Sequence, residues 1–312
     1  MYFPYLRGRQ FEMIALRELI ANNKLSDKVI PIIEPVKITP TLLNTINTFN
    51  DNKKNFIIIR NPSVGTFVSD STKDKNVELF GKIQNAVNSD NVYSAITINQ
   101  RSSNLVNLLL SKGVPYEKMV ALCLESDNIE YLQSAFNENS PKYNIIPYSP
   151  AFRRVRNGKR VMIDDKFNKL SRNNDYLDCD DEFFSDDHIY CYEDGYAGFS
   201  DYSVVGKEYS ESGFAPYAVA IHIIYPAEDK TLRVHHFVSD SNNDTSDPAN
   251  KFYEALEKLV EWNKEKGLNT LAMQTFESMY QNETYPGLGV AKKLSIMHHI
   301  ELIGNYLDEV LE

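Results

Sequence analysis

Val29-Ile30-Pro31-Ile32-Ile33-Glu34 is an apolar run that stops on a carboxylate, and four further runs along the chain end in the same manner. They are Phe56-Ile57-Ile58-Ile59 into Arg60, Ala95-Ile96-Thr97-Ile98 into Asn99, Gln100 and Arg101, Met119-Val120-Ala121-Leu122-Cys123-Leu124 into Glu125, and Val161-Met162-Ile163 into Asp164, Asp165 and Lys166. A strand covered by helices on both faces reads as a near-continuous Val/Ile/Leu run, whereas a half-exposed strand alternates. Between the runs the apolar residues return at helical spacing, over 10–22, 40–50, 74–88, 103–112 and 127–138. Thr39 and Pro40 suit a helix start, and Lys112-Gly113 a helix end. Strands are expected over 29–34, 55–60, 92–98, 118–124, 144–148 and 160–164.

Strands separated by helices must run parallel, joined by right-handed crossovers. Two folds satisfy that rule: an irregular (β/α)8 TIM-barrel-like domain and an open doubly wound parallel sheet. A dinucleotide-binding open sheet carries GxGxxG after its first strand; here the turn is Glu34-Pro35-Val36-Lys37, which favours the barrel. The loop before 160–164 is too short for a helix. The pattern then changes. Residues 178–187 are acidic, 217–225 and 231–238 read as a hairpin across Pro226–Lys230, and 239–248 is polar. Helices are expected over 249–266, 270–282 and 288–311. The expected organisation is a barrel domain over 1–240, the hairpin added to it, and a helical extension over 241–312 packed on the barrel.

With 43 Asp and Glu against 33 Lys and Arg, the net charge of −10 argues against a general duplex-DNA or anionic-membrane binder, while leaving room for a local basic groove. Three cysteines without CxxC spacing fit a reducing compartment. No signal-peptide order opens the chain and no run reaches membrane-spanning length, so a cytoplasmic protein is expected.

Sites in α/β folds gather at the C-terminal ends of parallel strands. There Glu34, Glu125 and Asp164 are candidate acid–base groups, or oxygen ligands for a divalent cation, although no metal set is assigned. Lys37, Arg60, Arg101, Arg153 and Lys166 are candidates for gripping a phosphate-bearing ligand. Asp201 joins them if 198–203 supplies another strand. The competing reading is that these charges pair with one another inside the fold. Arg153-Arg154-Val155-Arg156-Asn157-Gly158-Lys159-Arg160 meets phosphates or is a solvated loop turning at Asn157-Gly158. His235-His236 and His298-His299 are adjacent, so their side chains diverge and neither pair chelates alone. GxSxG, HExxH, Walker A and paired CxxC motifs are all missing from the sequence.

Tyr5-Leu6-Arg7-Gly8-Arg9-Gln10-Phe11-Glu12-Met13-Ile14-Ala15-Leu16, followed by Pro31-Ile32-Ile33-Glu34, resembles the opening of the bacteriophage beta-protein family and its bacterial relatives. Phe199-Ser200-Asp201-Tyr202-Ser203 is similar to that family's Gly-Asp-Tyr segment, with Ser200 where the family has glycine. The resemblance covers most of 2–240 and implies a phage-conflict or bacterial-defence setting, a barrel-like fold and importance for Arg9, Glu12, Glu34 and Asp201. It implies no reaction. Two functions follow as expectations: a binding or effector component that works with a protein partner, or an enzyme, metal-assisted and hydrolase- or phosphodiesterase-like, on a phosphate-bearing substrate or nucleotide.

Overall fold

The computed structural model describes residues 1–211 and 216–310. Its strands are β1 (Tyr5–Leu6), β2 (Ile32–Ile33), β3 (Phe56–Ile59), β4 (Val92–Thr97), β5 (Met119–Leu122), β6 (Tyr143–Pro147), β7 (Lys159–Asp164), β8 (Asp181–Ser185), β9 (Phe199–Asp201), β10 (Ala220–Pro226) and β11 (Leu232–Val238). Its helices are α1 (Gln10–Ala21), α2 (Pro40–Asp51), α3 (Phe67–Asp70), α4 (Val77–Ala86), α5 (Ser102–Ser111), α6 (Ile129–Phe136), α7 (Asp187–Tyr190), α8 (Pro248–Lys266), α9 (Leu271–Gln281) and α10 (Leu288–Val310). Residue 311, the last of the expected terminal helix, lies outside the described residues.

The chain divides into two compact units that interleave in sequence. The first holds 1–13, 27–165 and 190–202; the second holds 14–26, 166–189 and 203–312. This division does not coincide with a boundary at 240, because the hairpin falls with the terminal helices.

The first unit is an α/β barrel. Eight strands run in the order β1-β2-β3-β4-β5-β6-β7-β9, every pairing parallel. A bridge between Tyr2 and Phe199 brings the ends together, with Phe3 N donating to the Phe199 carbonyl at 2.9 Å, and this closure excludes the open sheet. Every second residue points inward, as the pleat dictates. Tyr5, Ile32, Ile57, Ala95, Val120, Ile145 and Ile163 therefore meet in one buried core. Thr39 caps α2, accepting from Leu42 N at 3.2 Å with Pro40 in the first turn. Between β6 and β7 a single 3-10 turn, Pro150–Arg154, replaces the helix, as the loop length required.

The second unit is built on a three-stranded antiparallel sheet, β10-β11-β8, in which Pro226 lies opposite Leu232. Helix α10 packs along β10 and α8 along β11. The middle of α10 is buried on every side, from Leu294 through Glu301, which explains why it carries apolar residues without a polar stripe. Among the described residues no helix is long and apolar enough to cross a membrane.

Candidate functional site

At the C-terminal end of the barrel strands, the inward positions after Tyr5 and Ile32 are Arg7 and Glu34. Glu34 is fully buried and accepts from four donors: Tyr5 Oη at 2.8 Å, the Arg7 guanidinium, and Ser63 N and Oγ at 2.7 and 2.9 Å. The Arg7 guanidinium lies 5.0 Å over the Tyr5 ring and 5.7 Å over that of Tyr202. A buried carboxylate is tolerable only with a counter-charge and filled lone pairs, and Glu34 has both. Burial, followed by the Glu34 charge, drives the Tyr5 phenol well above its ordinary pKa, so it remains a donor. Gly8 belongs to the same arrangement. Its φ is +62°, and a Cβ there would sit 2.9 Å from the Glu34 carbonyl oxygen.

The other expected site residues do not join Glu34, and strand parity gives the reason. Ile59 faces inward, so Arg60 turns outward and donates to Gln84 Oε1 on α4 at 3.0 Å. Its Nη1 is buried without a hydrogen-bond partner among the described residues, and burial lowers its pKa. Glu125 and Asp164 also follow odd-numbered offsets from inward residues and are exposed; Asp164 accepts from Asp165 N at 2.9 Å, and its charge, like those of Arg7 and Glu34, reaches the buried Tyr202 phenol. Asp201 is buried and accepts from Tyr2 Oη at 2.9 Å. Lys37, Arg101 and Arg153 are exposed, on loops or at a helix start. Lys166 belongs to the second unit, where it pairs with Asp187 at 3.0 Å. Of the expected set Glu34, Arg60, Arg101, Glu125 and Asp164, Glu34 sits in a buried hydrogen-bonded network, Asp164 lies near it at Tyr202, and Arg60 bonds Gln84 instead.

The second unit holds a different arrangement. A cavity of about 300 Å³ opens beside β10, its wall including Phe167, Lys169, Tyr176, His222, Lys292 and Ser295. His222 on β10 stands opposite His236 on β11, and their Nδ1 atoms are 2.7 Å apart. His236 Nε2 is 3.2 Å from Glu182 Oε1, while Glu182 Oε2 accepts from Asn168 at 3.2 Å. The Tyr176 ring packs against both imidazoles, at 4.8 and 4.4 Å.

This chain fixes its own protons. The Glu182 carboxylate only accepts, so His236 carries hydrogen on Nε2 and presents a lone pair on Nδ1. His222 then donates from Nδ1, which leaves its Nε2 as an acceptor with no partner among the described residues. Burial pushes the His222 pKa well below its ordinary value, with His236 and Lys292 adding to the effect. Burial lowers His236 as well, against the pull of Glu182. Both shifts favour the neutral ring. Lys169, exposed at the wall, makes no ion pair among the described residues.

Adjacent histidines diverge as expected. His235 stacks on Trp262 at 5.1 Å and contacts Asp181, on the face opposite His236. On α10, His298 bonds Thr270 and the Ile224 carbonyl, while His299 bonds Ser203. No group of three or more His, Cys, Asp or Glu among the described residues is arranged to hold a metal ion. Sequence reading missed Arg7, Tyr5, His222, His236 and Glu182. The signal for the first two was alternation, and for the histidines it was hairpin register, since Pro226 opposite Leu232 places 222 opposite 236. No protein-family model, curated protein or solved structure matches the chain.

Proposed function

We propose that this chain is the ligand-binding component of a bacterial defence or phage-conflict system, and that its ligand is a small anionic molecule seated in the second unit's cavity. The observation that carries the ligand reading is the His222 imidazole, whose tautomer is set through His236 by Glu182 and whose Nε2 is left as an acceptor in a cavity wall that also holds Lys169. An acceptor and a cation in one cavity wall suit a molecule that carries both a phosphate or carboxylate and a hydroxyl or amine hydrogen. Cavities of this size and mixed lining hold small ligands. The barrel's strand-end charges support the same conclusion from the other side, since Glu34 is already saturated. The defence setting and a protein partner rest on the resemblance to the beta-protein family.

A second reading, an enzyme on a phosphate-bearing substrate, draws on the same relay, because a tautomer-locked imidazole is suited to general-base work. Calorimetric titration of the whole chain with adenosine monophosphate, glucose 6-phosphate and glycerol phosphate tests the proposal. At least one is expected to bind, with affinity falling about tenfold or more in Lys169→Glu and His222→Phe and unchanged in Arg60→Ala and Arg101→Ala. Binding that follows Arg60 or Arg101, or no binding of any of the three, overturns it. Phosphate release detected by phosphorus NMR, lost in His222→Phe, would decide for the enzyme.

A further inference from the structure

Arg153, Arg154, Arg156, Lys159 and Arg160 put five cations into eight positions of a chain whose net charge is −10. None of the five is in an ion pair among the described residues, and the first four are exposed. Like charges held this close repel one another, and among the described residues no carboxylate is within ion-pair distance of them. The loop that carries them is nevertheless pinned. Asn144 Nδ2 donates to the Asn157 carbonyl, and Gly158 turns at φ +84°, where a Cβ would come within 2.4 Å of the Pro141 carbonyl oxygen.

An aromatic platform stands beside the cations. Tyr148 follows β6 and leaves 60% of its surface exposed, and its ring lies 6.0 Å from that of Tyr196. The Arg160 guanidinium sits 4.8 Å over the Tyr196 ring and donates to the Gly195 carbonyl at 3.2 Å. Tyr148, Tyr196, Arg153 and Arg160 share the wall of a shallow hollow of about 280 Å³ with Asp194, its one carboxylate. Arg154 and Arg156, on the same loop, line a second, smaller hollow of about 90 Å³. A large aromatic left open to water, with more guanidiniums than carboxylates around it, offers a base a stacking face and its phosphates a counter-charge.

We propose that this patch of the barrel unit binds single-stranded nucleic acid, with a base stacked on Tyr148 and successive phosphates against Arg153, Arg154 and Arg156. A duplex hides its base faces and would carry its phosphates past the acidic remainder of the protein, so the patch favours the single strand. The cations extend beyond the hollow, which suits several phosphates better than one mononucleotide.

Fluorescence anisotropy of the whole chain with labelled oligothymidylate and oligouridylate of about a dozen nucleotides tests this, read between about 50 and about 200 mM salt. Binding is expected to weaken with salt. Arg153→Ala with Arg154→Ala should flatten the salt dependence by about 0.7 logarithmic units per lost contact. Tyr148→Ala should weaken binding about fivefold to a hundredfold at each salt without changing the slope, and Tyr148→Phe should restore it. These side chains are exposed, so the melting temperature of each variant should match the wild type. No binding at low salt, indifference to Tyr148→Ala, full competition by thymidine monophosphate, equal binding of the duplex, or a preference for phosphatidylserine vesicles would each overturn the proposal.

Discussion

In the barrel unit, the buried Glu34 carboxylate is answered by the Arg7 guanidinium; in the second unit, burial pushes the imidazoles of His222, His236, His298 and His299 towards the neutral form. All six histidines of the chain, at 188, 222, 235, 236, 298 and 299, fall in the second unit, and the barrel has none. The two solutions have different consequences. A carboxylate whose lone pairs are already filled offers nothing to a ligand. A neutral imidazole network is sensitive to acid, and where one ring nitrogen remains open, as in His222, it can serve a ligand.

Acid should separate the two units most strongly. Burial holds His298 at about 4 and His299 at about 3, against an ordinary value near 6.5. The unfolded chain therefore takes up protons below about pH 6.5 while the folded one does not, and stability is lost as pH falls from there towards those values. At about 1.4 kcal/mol per unit, the two together cost on the order of 6 kcal/mol by pH 4. Urea unfolding followed from neutral to acid pH measures this, and a flat profile would remove the neutral-imidazole account.

Breaking the barrel's pair comes next in size. Glu34→Ala leaves the Arg7 charge buried opposite nothing and should destabilise the protein by about 3–5 kcal/mol. A loss below about 1 kcal/mol in denaturant titration would mean that Glu34 is not structural. Tyr2→Phe removes one donor from buried Asp201 and should cost about 1–3 kcal/mol by the same assay. Arg60 should matter least. Its guanidinium is half-buried on Gln84 with one nitrogen orphaned, so Arg60→Met is expected to melt within about 1 kcal/mol of the wild type, or above it. A large drop in melting temperature would show an unrecognised partner.

The sequence made the barrel strands legible because buried parallel strands leave an unbroken apolar signature. All six expected strands appear, and 198–203 supplies β9. Tyr5–Leu6 was not legible, since two residues carry no periodicity of their own. The hairpin and the three terminal helices were legible from turn residues and helical spacing. Their grouping into one unit was not, because 14–26 and 166–189 join them from far along the chain. Within the candidate set Glu34, Arg60, Arg101, Glu125 and Asp164, Glu34 alone is a buried group. Choosing the first polar residue after each run ignores the period of two, which turns Arg60 outward to Gln84 and leaves Glu125 exposed while Glu34 faces the interior. His222 was hidden for another reason: a lone histidine in Ala220-Ile221-His222-Ile223 signals nothing until register sets it against His236.

The most direct test of the cavity as the ligand site is nitrogen–proton NMR of the histidine rings, because every histidine reports on the second unit. In the free protein, His236 should carry its proton on Nε2 and His222 on Nδ1. Titration with adenosine monophosphate or glucose 6-phosphate should shift His222 and His236 together and leave His298 and His299 in place. Lys169→Glu should raise the concentration needed by about tenfold or more. Ligand that binds by calorimetry while the His222 and His236 signals stay still, or the opposite tautomers in the free protein, would contradict the account.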